Sequence, residues 1–273
     1  MTRLEEFGWK GEAAPGIARV VRSHGDYYHL ACCESDSDVI ARKKKGAFMR
    51  EDTSPKPVTG DFVKFVHNPG GESMIVETLE RFSVFERRDA GARRSSQTLA
   101  VNFDILFITT GLNENYSPAR IARFLALAEN MGRAKAVLLF TKADLLAPGE
   151  GARLAKEACG MFATESLAVS TVSGEGLERL RAMMHPRDTV SFVGSSGVGK
   201  SSLVNALAGE DVAETLEVQE WSGKGRHATT SRTIYKLASG VLALDTPGVR
   251  EIGMIGETET VLAKGVSSHR WRK

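Results

Sequence analysis

Cysteine is scarce in this chain: only Cys32, Cys33 and Cys159 occur among 273 residues. Adjacent cysteines such as Cys32 and Cys33 seldom bridge each other, no pair has metal-site spacing, and none follows Cys159. Neither a disulfide framework nor a zinc site is therefore expected, and a reduced, cytoplasmic compartment fits the usage. Long apolar runs are missing as well; none approaches the roughly 20 residues of a membrane-spanning helix. The N-terminus carries Glu5 and Glu6 instead of a basic segment ahead of an apolar core. The expectation is a protein neither secreted nor membrane-embedded. An excess of one charge is also absent, because 36 Lys and Arg stand against 34 Asp and Glu for a net charge of +2. Any anionic partner must be argued from clusters of charge, not from the total.

What is present suffices for two domains, since 42% of the residues are hydrophobic and a chain of this length can bury two cores without covalent staples. Short strand-like runs recur at 16–21, 27–31, 38–42, 61–65 and 74–79, separated by turn-rich stretches such as Ser23-His24-Gly25-Asp26 and Asn68-Pro69-Gly70-Gly71. That spacing predicts a small barrel of the OB type, with another small β-domain as the alternative. After the basic pairs Arg87-Arg88 and Arg93-Arg94 the pattern changes. Apolar runs at 104–110, 136–140, 166–170 and 189–193 alternate with amphipathic stretches, and a hairpin follows at 233–237 and 241–244. Ser117 can cap the first helix, with Pro118 in its first turn and Ile121, Phe124, Leu125 and Ala128 on one face. The βα alternation predicts an α/β domain with a mostly parallel sheet and helices on both faces. The expected division is a barrel over 1–84, a basic linker over 85–100, the α/β domain over 101–256, and a short helix and basic tail over 257–273.

The run Gly194-Ser195-Ser196-Gly197-Val198-Gly199-Lys200-Ser201 matches G-x-x-x-x-G-K-S between a strand-like and a helix-like segment, which is the context the motif requires. Its glycines let backbone N–H groups close on phosphate oxygens, and the helix N-terminus adds favourable partial charge. Lys200 is placed to reach the β- and γ-phosphates and Ser201 to bind Mg²⁺, with Ser202 also in the phosphate-binding set. Thr141-Lys142-Ala143-Asp144 directly follows a strand. An aspartate there can accept from guanine N1–H and the 2-amino group; adenine lacks both donors, so Asp144 selects GTP over ATP. The usual first residue of that motif is Asn, and Thr141 departs from it. Ser170-Thr171 closes the next strand, where a backbone N–H can meet guanine O6.

Asp245-Thr246-Pro247-Gly248 matches D-x-x-G, with Asp245 holding Mg²⁺ through water and the Gly248 N–H sensing the γ-phosphate. Between the two phosphate motifs, the segment 223–230 carries adjacent threonines, and either Thr229 or Thr230 completes the Mg²⁺ shell. A glutamine after the D-x-x-G glycine is lacking; Val249 stands there, so intrinsic hydrolysis should be slow. His227 is either the replacement, acting when a partner orders its loop, or a structural loop histidine. The base-reading segment precedes the phosphate loop, the reverse of an ordinary GTP-binding domain. A circularly permuted P-loop GTPase domain is the expectation.

That order, together with 223–230, Pro57-Val58-Thr59-Gly60-Asp61 and the stretch from Ala100-Val101-Asn102 to Gly248-Val249-Arg250, resembles the RsgA (YjeQ) family of ribosome-assembly GTPases. The resemblance implies GTP and GDP as ligands with Mg²⁺, the small ribosomal subunit and its rRNA as partner, and GTP hydrolysis stimulated there late in maturation. A monomer without a membrane partner is expected. Family members continue into a helical zinc domain with C-x₄-C-x-H-x₅-C spacing, which has no counterpart in this sequence. Arg42-Lys43-Lys44-Lys45, beside Phe48 and Arg50, suits RNA docking by a barrel loop or is a solvated run. Two alternatives remain: a nucleotide-responsive RNA-binding module with negligible turnover, and a permuted GTPase acting on another RNA.

Overall fold

In the computed structural model, which describes residues 1–44, 46, 48, 54–88, 96–113, 116–208 and 232–244, the N-terminal alternation closes into a barrel. Strands β1 (Ile17–His24), β2 (Tyr27–Cys32), β3 (Val39–Lys43), β4 (Phe62–Val66) and β5 (Ser73–Thr78) run in the order β1-β2-β3-β5-β4, and β4 pairs back onto β1. Only β3 and β5 pair in parallel. Every second residue turns inward, so Ala18, Val20, Leu30, Ala41, Val63 and Ile75 are fully buried within the barrel. Five strands closed in this way form the OB-type barrel expected from the spacing.

Two elements ahead of the nucleotide region depart from expectation. Residues 3–6 form a one-turn helix, α1 (Arg3–Glu6), closed by a capping box between Thr2 and Glu5. The segment expected as a basic linker contains an antiparallel ribbon of β6 (Val84–Arg88) and β7 (Ser96–Val101). The ribbon forms because Phe85, Leu99, Ala100 and Val101 provide apolar surface that is buried; the basic pairs Arg87-Arg88 and Arg93-Arg94 hide that strand signal in the sequence.

The α/β part follows as β8 (Ile105–Gly111), α2 (Pro118–Ala128), β9 (Lys135–Thr141), α3 (Glu150–Phe162), β10 (Ser166–Ala168), α4 (Leu177–Ala182), β11 (Thr189–Val193), α5 (Lys200–Ala208), β12 (Arg232–Lys236) and β13 (Leu242–Leu244). Its strands lie in the order β10-β9-β8-β11-β13-β12, all parallel except β12. Strands β8 and β11 are buried along their whole length, as strands covered on both faces must be. Ile121 and Phe124 of α2 pack with Leu154 and Ala158 of α3 on one face, and Leu177 and Leu180 of α4 with Leu203 and Leu207 of α5 on the other. The Ser117 hydroxyl accepts from the Arg120 N–H with Pro118 in the first turn, a start worth about 1 kcal/mol.

From β8 the chain winds outward through β9 to β10, whereas from β11 it proceeds to β13 on the other side. Adjacent strands with connections leaving in opposite directions open a crevice at their C-terminal ends. β12 also pairs with β1 through Arg22–Thr233 and Ser23–Arg232, so one sheet continues from the α/β layer into the barrel. Among the described residues, no helix is long and apolar enough to cross a membrane.

Candidate nucleotide-binding site

Both motif loops leave the sheet at that crevice. Strand β11 ends at Gly194, where a Cβ would sit 2.2 Å from the Thr109 carbonyl of β8; only glycine lets the loop cross so close to the neighbouring strand. Gly197 and Gly199 follow with φ of +75° and +93°, left-handed values that fold the loop into a cradle without side-chain strain. The Lys200 ammonium lies within it, donating to the carbonyls of Gly194 at 2.8 Å and Ser195 at 2.7 Å. Ser201 and Ser202 occupy the first turn of α5, where the positive end of the helix dipole favours anions.

Beside the cradle, β9 ends at Thr141, Lys142 turns left-handed at φ 62°, and a single 3-10 turn, Ala143–Leu145, presents Asp144. The Thr141 hydroxyl lies 2.5 Å from the Val198 carbonyl of the phosphate loop and 3.3 Å from the Thr110 carbonyl of β8. From the loop after β10, the Ser170 hydroxyl donates to the Asp144 carboxylate at 2.5 Å and accepts from the N–H groups of Val172 and Ser173, each at 3.1 Å. Ser170 is fully buried, so it fixes the orientation of the carboxylate within a closed loop. These segments line a cavity of about 330 Å³ that includes Thr141, Lys142, Asp144, Thr171, Gly199 and Ser202, large enough to admit a nucleoside. The geometry joins an anion cradle to a slot walled by a carboxylate, a pair that matches the phosphates and the N1–H and 2-amino donors of a guanine nucleotide.

The sequence matches the RsgA GTPase family over residues 78–255. A relative from Listeria monocytogenes, the small ribosomal subunit biogenesis GTPase RsgA 1, is 34% identical over 258 residues, covering 92% of this chain and 72% of the relative. The RsgA of Methanosarcina acetivorans is 35% identical over 243 residues, covering 88% of this chain and 64% of its own length. The chain belongs to the RsgA family. It is a GTPase, and guanine nucleotide is its ligand class. The fold agrees: YjeQ from Thermotoga maritima superposes with a TM-score of 0.62 at 22% identity over 85% of this chain and 74% of that one. YloQ, a circularly permuted GTPase, does so with a TM-score of 0.55 at 19% identity, over 87% and 74%.

Of the expected site residues, those from Thr141 to Asp144, Ser170, Thr171 and the loop from Gly194 to Ser202 meet at one crevice. His227, Thr229, Thr230, Asp245 and Gly248 lie outside the described residues. One contact escapes a motif reading: the Arg120 guanidinium of α2 donates to the Ser195 hydroxyl at 2.8 Å, bracing the loop from a third helix. The available signal was its place in the first turn, where the helix dipole disfavours a cation. The barrel's basic cluster also differs from expectation. Phe48 is buried in the barrel core and offers no stacking surface, because its apolar ring completes the interior. Arg42 and Lys43 stand on β3 beside the exposed Tyr27, over which the Arg42 guanidinium lies 4.2 Å from the ring centroid.

Proposed function

We propose that this chain binds the small ribosomal subunit and acts in its maturation, hydrolysing GTP to GDP and phosphate faster on the subunit than in its absence. The observation that carries this reading is the convergence of Asp144, Ser170 and the phosphate loop on one crevice, in a sheet that continues into an OB-type barrel. Asp144 accepts from guanine N1–H and the 2-amino group, and the Thr171 N–H donates to O6. Lys200 leaves its carbonyls for the β- and γ-phosphates, and the loop amides and the Ser202 turn surround the remaining oxygens. Ser201, Asp245 and one of Thr229 or Thr230 hold Mg²⁺, which neutralises charge developing on the phosphate oxygens. The Gly248 N–H senses the γ-phosphate. His227 orients the attacking water when the chain is bound to the subunit, since Val249 has no group to do so. Arg42, Lys43 and Lys44 supply cationic contacts for rRNA. The protein works as a cytoplasmic monomer with no membrane partner.

GTP turnover with and without purified small subunits tests the reading. Stimulation on the order of tenfold or more is expected, and Lys200→Ala should lower turnover about 10- to 100-fold in both conditions by removing charge-assisted bonds. Tight guanine-nucleotide binding without stimulation would favour a nucleotide-responsive RNA-binding module, and stimulation by a different RNA would redirect the partner.

Ser170 adds a second expectation. Ser170→Ala should weaken GDP binding about 5- to 10-fold, because Asp144 loses a donor that holds its orientation. The preference for GDP over ADP should narrow as well, measured by competition against a fluorescent nucleotide; an unchanged ratio would leave Ser170 a structural role only.

A further inference from the structure

Thr141 stands where most base-reading motifs begin with an amide side chain, and its hydrogen bonding limits what it can offer a base. It is 4% exposed, lines the cavity between Asp144 and Gly199, and has backbone carbonyls at 2.5 and 3.3 Å from its hydroxyl. Carbonyls only accept, and a hydroxyl carries one proton. That proton is committed to the phosphate loop, and a lone pair is all that remains toward the cavity. In an anti nucleotide the C8–N7 edge of the purine turns toward the 5′-phosphate. With the Watson–Crick edge on Asp144 and the phosphates in the loop, N7 faces the position between them, which is Thr141. N7 is itself only an acceptor.

We infer that this chain reads guanine by its Watson–Crick edge alone, with Thr141 serving as a tie between the base turn and the phosphate loop and giving N7 no donor from the position that an amide side chain usually fills. The inference rests on the guanine-pocket reading above. It implies that the pocket tolerates replacement of N7 by C–H, and that discrimination falls entirely to Asp144, Ser170 and the loop N–H groups.

The test measures dissociation constants of GDP, 7-deaza-GDP and ADP by titration calorimetry for the wild-type chain, Thr141→Asn and Thr141→Val. The wild type should bind GDP and 7-deaza-GDP within about twofold of each other. Thr141→Asn brings a second N–H donor and should bind GDP about fivefold more tightly than 7-deaza-GDP, the worth of one neutral hydrogen bond. Thr141→Val keeps the shape and removes the tie, so both guanine ligands should weaken together with their ratio near one. The inference is overturned if the wild type binds 7-deaza-GDP fivefold or more weakly than GDP, or if Thr141→Val alone brings the two together. ADP bound as tightly as GDP would instead overturn the guanine pocket on which the inference rests.

Discussion

Asp144→Asn is expected to lower the affinity for GTP on the order of 10²- to 10⁴-fold and to create affinity for xanthosine triphosphate. On the proposed reading the carboxylate accepts two hydrogen bonds from guanine, and bonds to a charged group contribute about 1.5–3 kcal/mol each. Asparagine keeps the volume and the acceptor for N1–H but turns the second oxygen into an amide donor, which opposes the guanine 2-amino group and matches the xanthine 2-carbonyl. The Ser170 hydroxyl, 2.5 Å from Asp144 in the native protein, can still donate to the asparagine oxygen and hold the same orientation. The 3-10 turn does not depend on the charge, so the fold should survive. Competition binding with the two triphosphates decides the matter. If the variant still preferred GTP, Asp144 could not be reading the base edge.

Arg19→Met should destabilise the protein by about 3–5 kcal/mol. Arg19 on β1 is 1% exposed and donates to the carbonyls of Phe7 at 2.7 Å, Asn102 at 2.7 Å and Gly60 at 3.3 Å, and to the Thr189 hydroxyl at 2.8 Å. One guanidinium thus joins the barrel, the N-terminal helix, the end of the ribbon and the strand leading to the phosphate loop. Burial lowers its pKa to about 10, so it stays charged at neutral pH, and its cation lies 4.8 Å from the Phe62 ring centroid. Methionine replaces the stem but leaves the carbonyls of Phe7 and Asn102 without the guanidinium's donors, while the Asn102 amide still donates to that of Gly60. Lysine would not repair the loss, since a point charge cannot reproduce the planar fork. Against a total stability of roughly 5–15 kcal/mol, the melting temperature should fall on the order of 10 °C. A change under 1 °C would mean that water or a shifted backbone replaces the fork.

Most strands and helices were legible because each carries its period in a few residues. Val20, Leu30 and Ile75 mark the inner face of the barrel, and Ile121 and Phe124 the buried stripe of α2. The motifs were legible for a related reason: glycines at 194, 197 and 199 answer a backbone demand that few other residues meet. The ribbon of β6 and β7 was not. Its pairing depends on a core supplied from elsewhere in the chain, and the basic pairs Arg87-Arg88 and Arg93-Arg94 read as a linker. Phe48 misled in the opposite direction: beside Arg42-Lys43-Lys44-Lys45 it read as part of a basic loop, and only its neighbours in the fold place it in the barrel core.

The sequence by itself determined the motifs and their permuted order: Thr141-Lys142-Ala143-Asp144 stands ahead of the glycine-rich run that ends in Gly199-Lys200-Ser201, and Asp245-Thr246-Pro247-Gly248 follows both. These follow from residue type and short spacing, which local physics governs. Only the tertiary structure decided how the pieces hold one another. The tie from Thr141 to Val198, the brace from Arg120 to Ser195 and the joint around Arg19 link positions 57, 75 and 170 residues apart. A polar side chain's partner across such a span is chosen by where the strands and helices pack, and no local pattern in the chain carries that information.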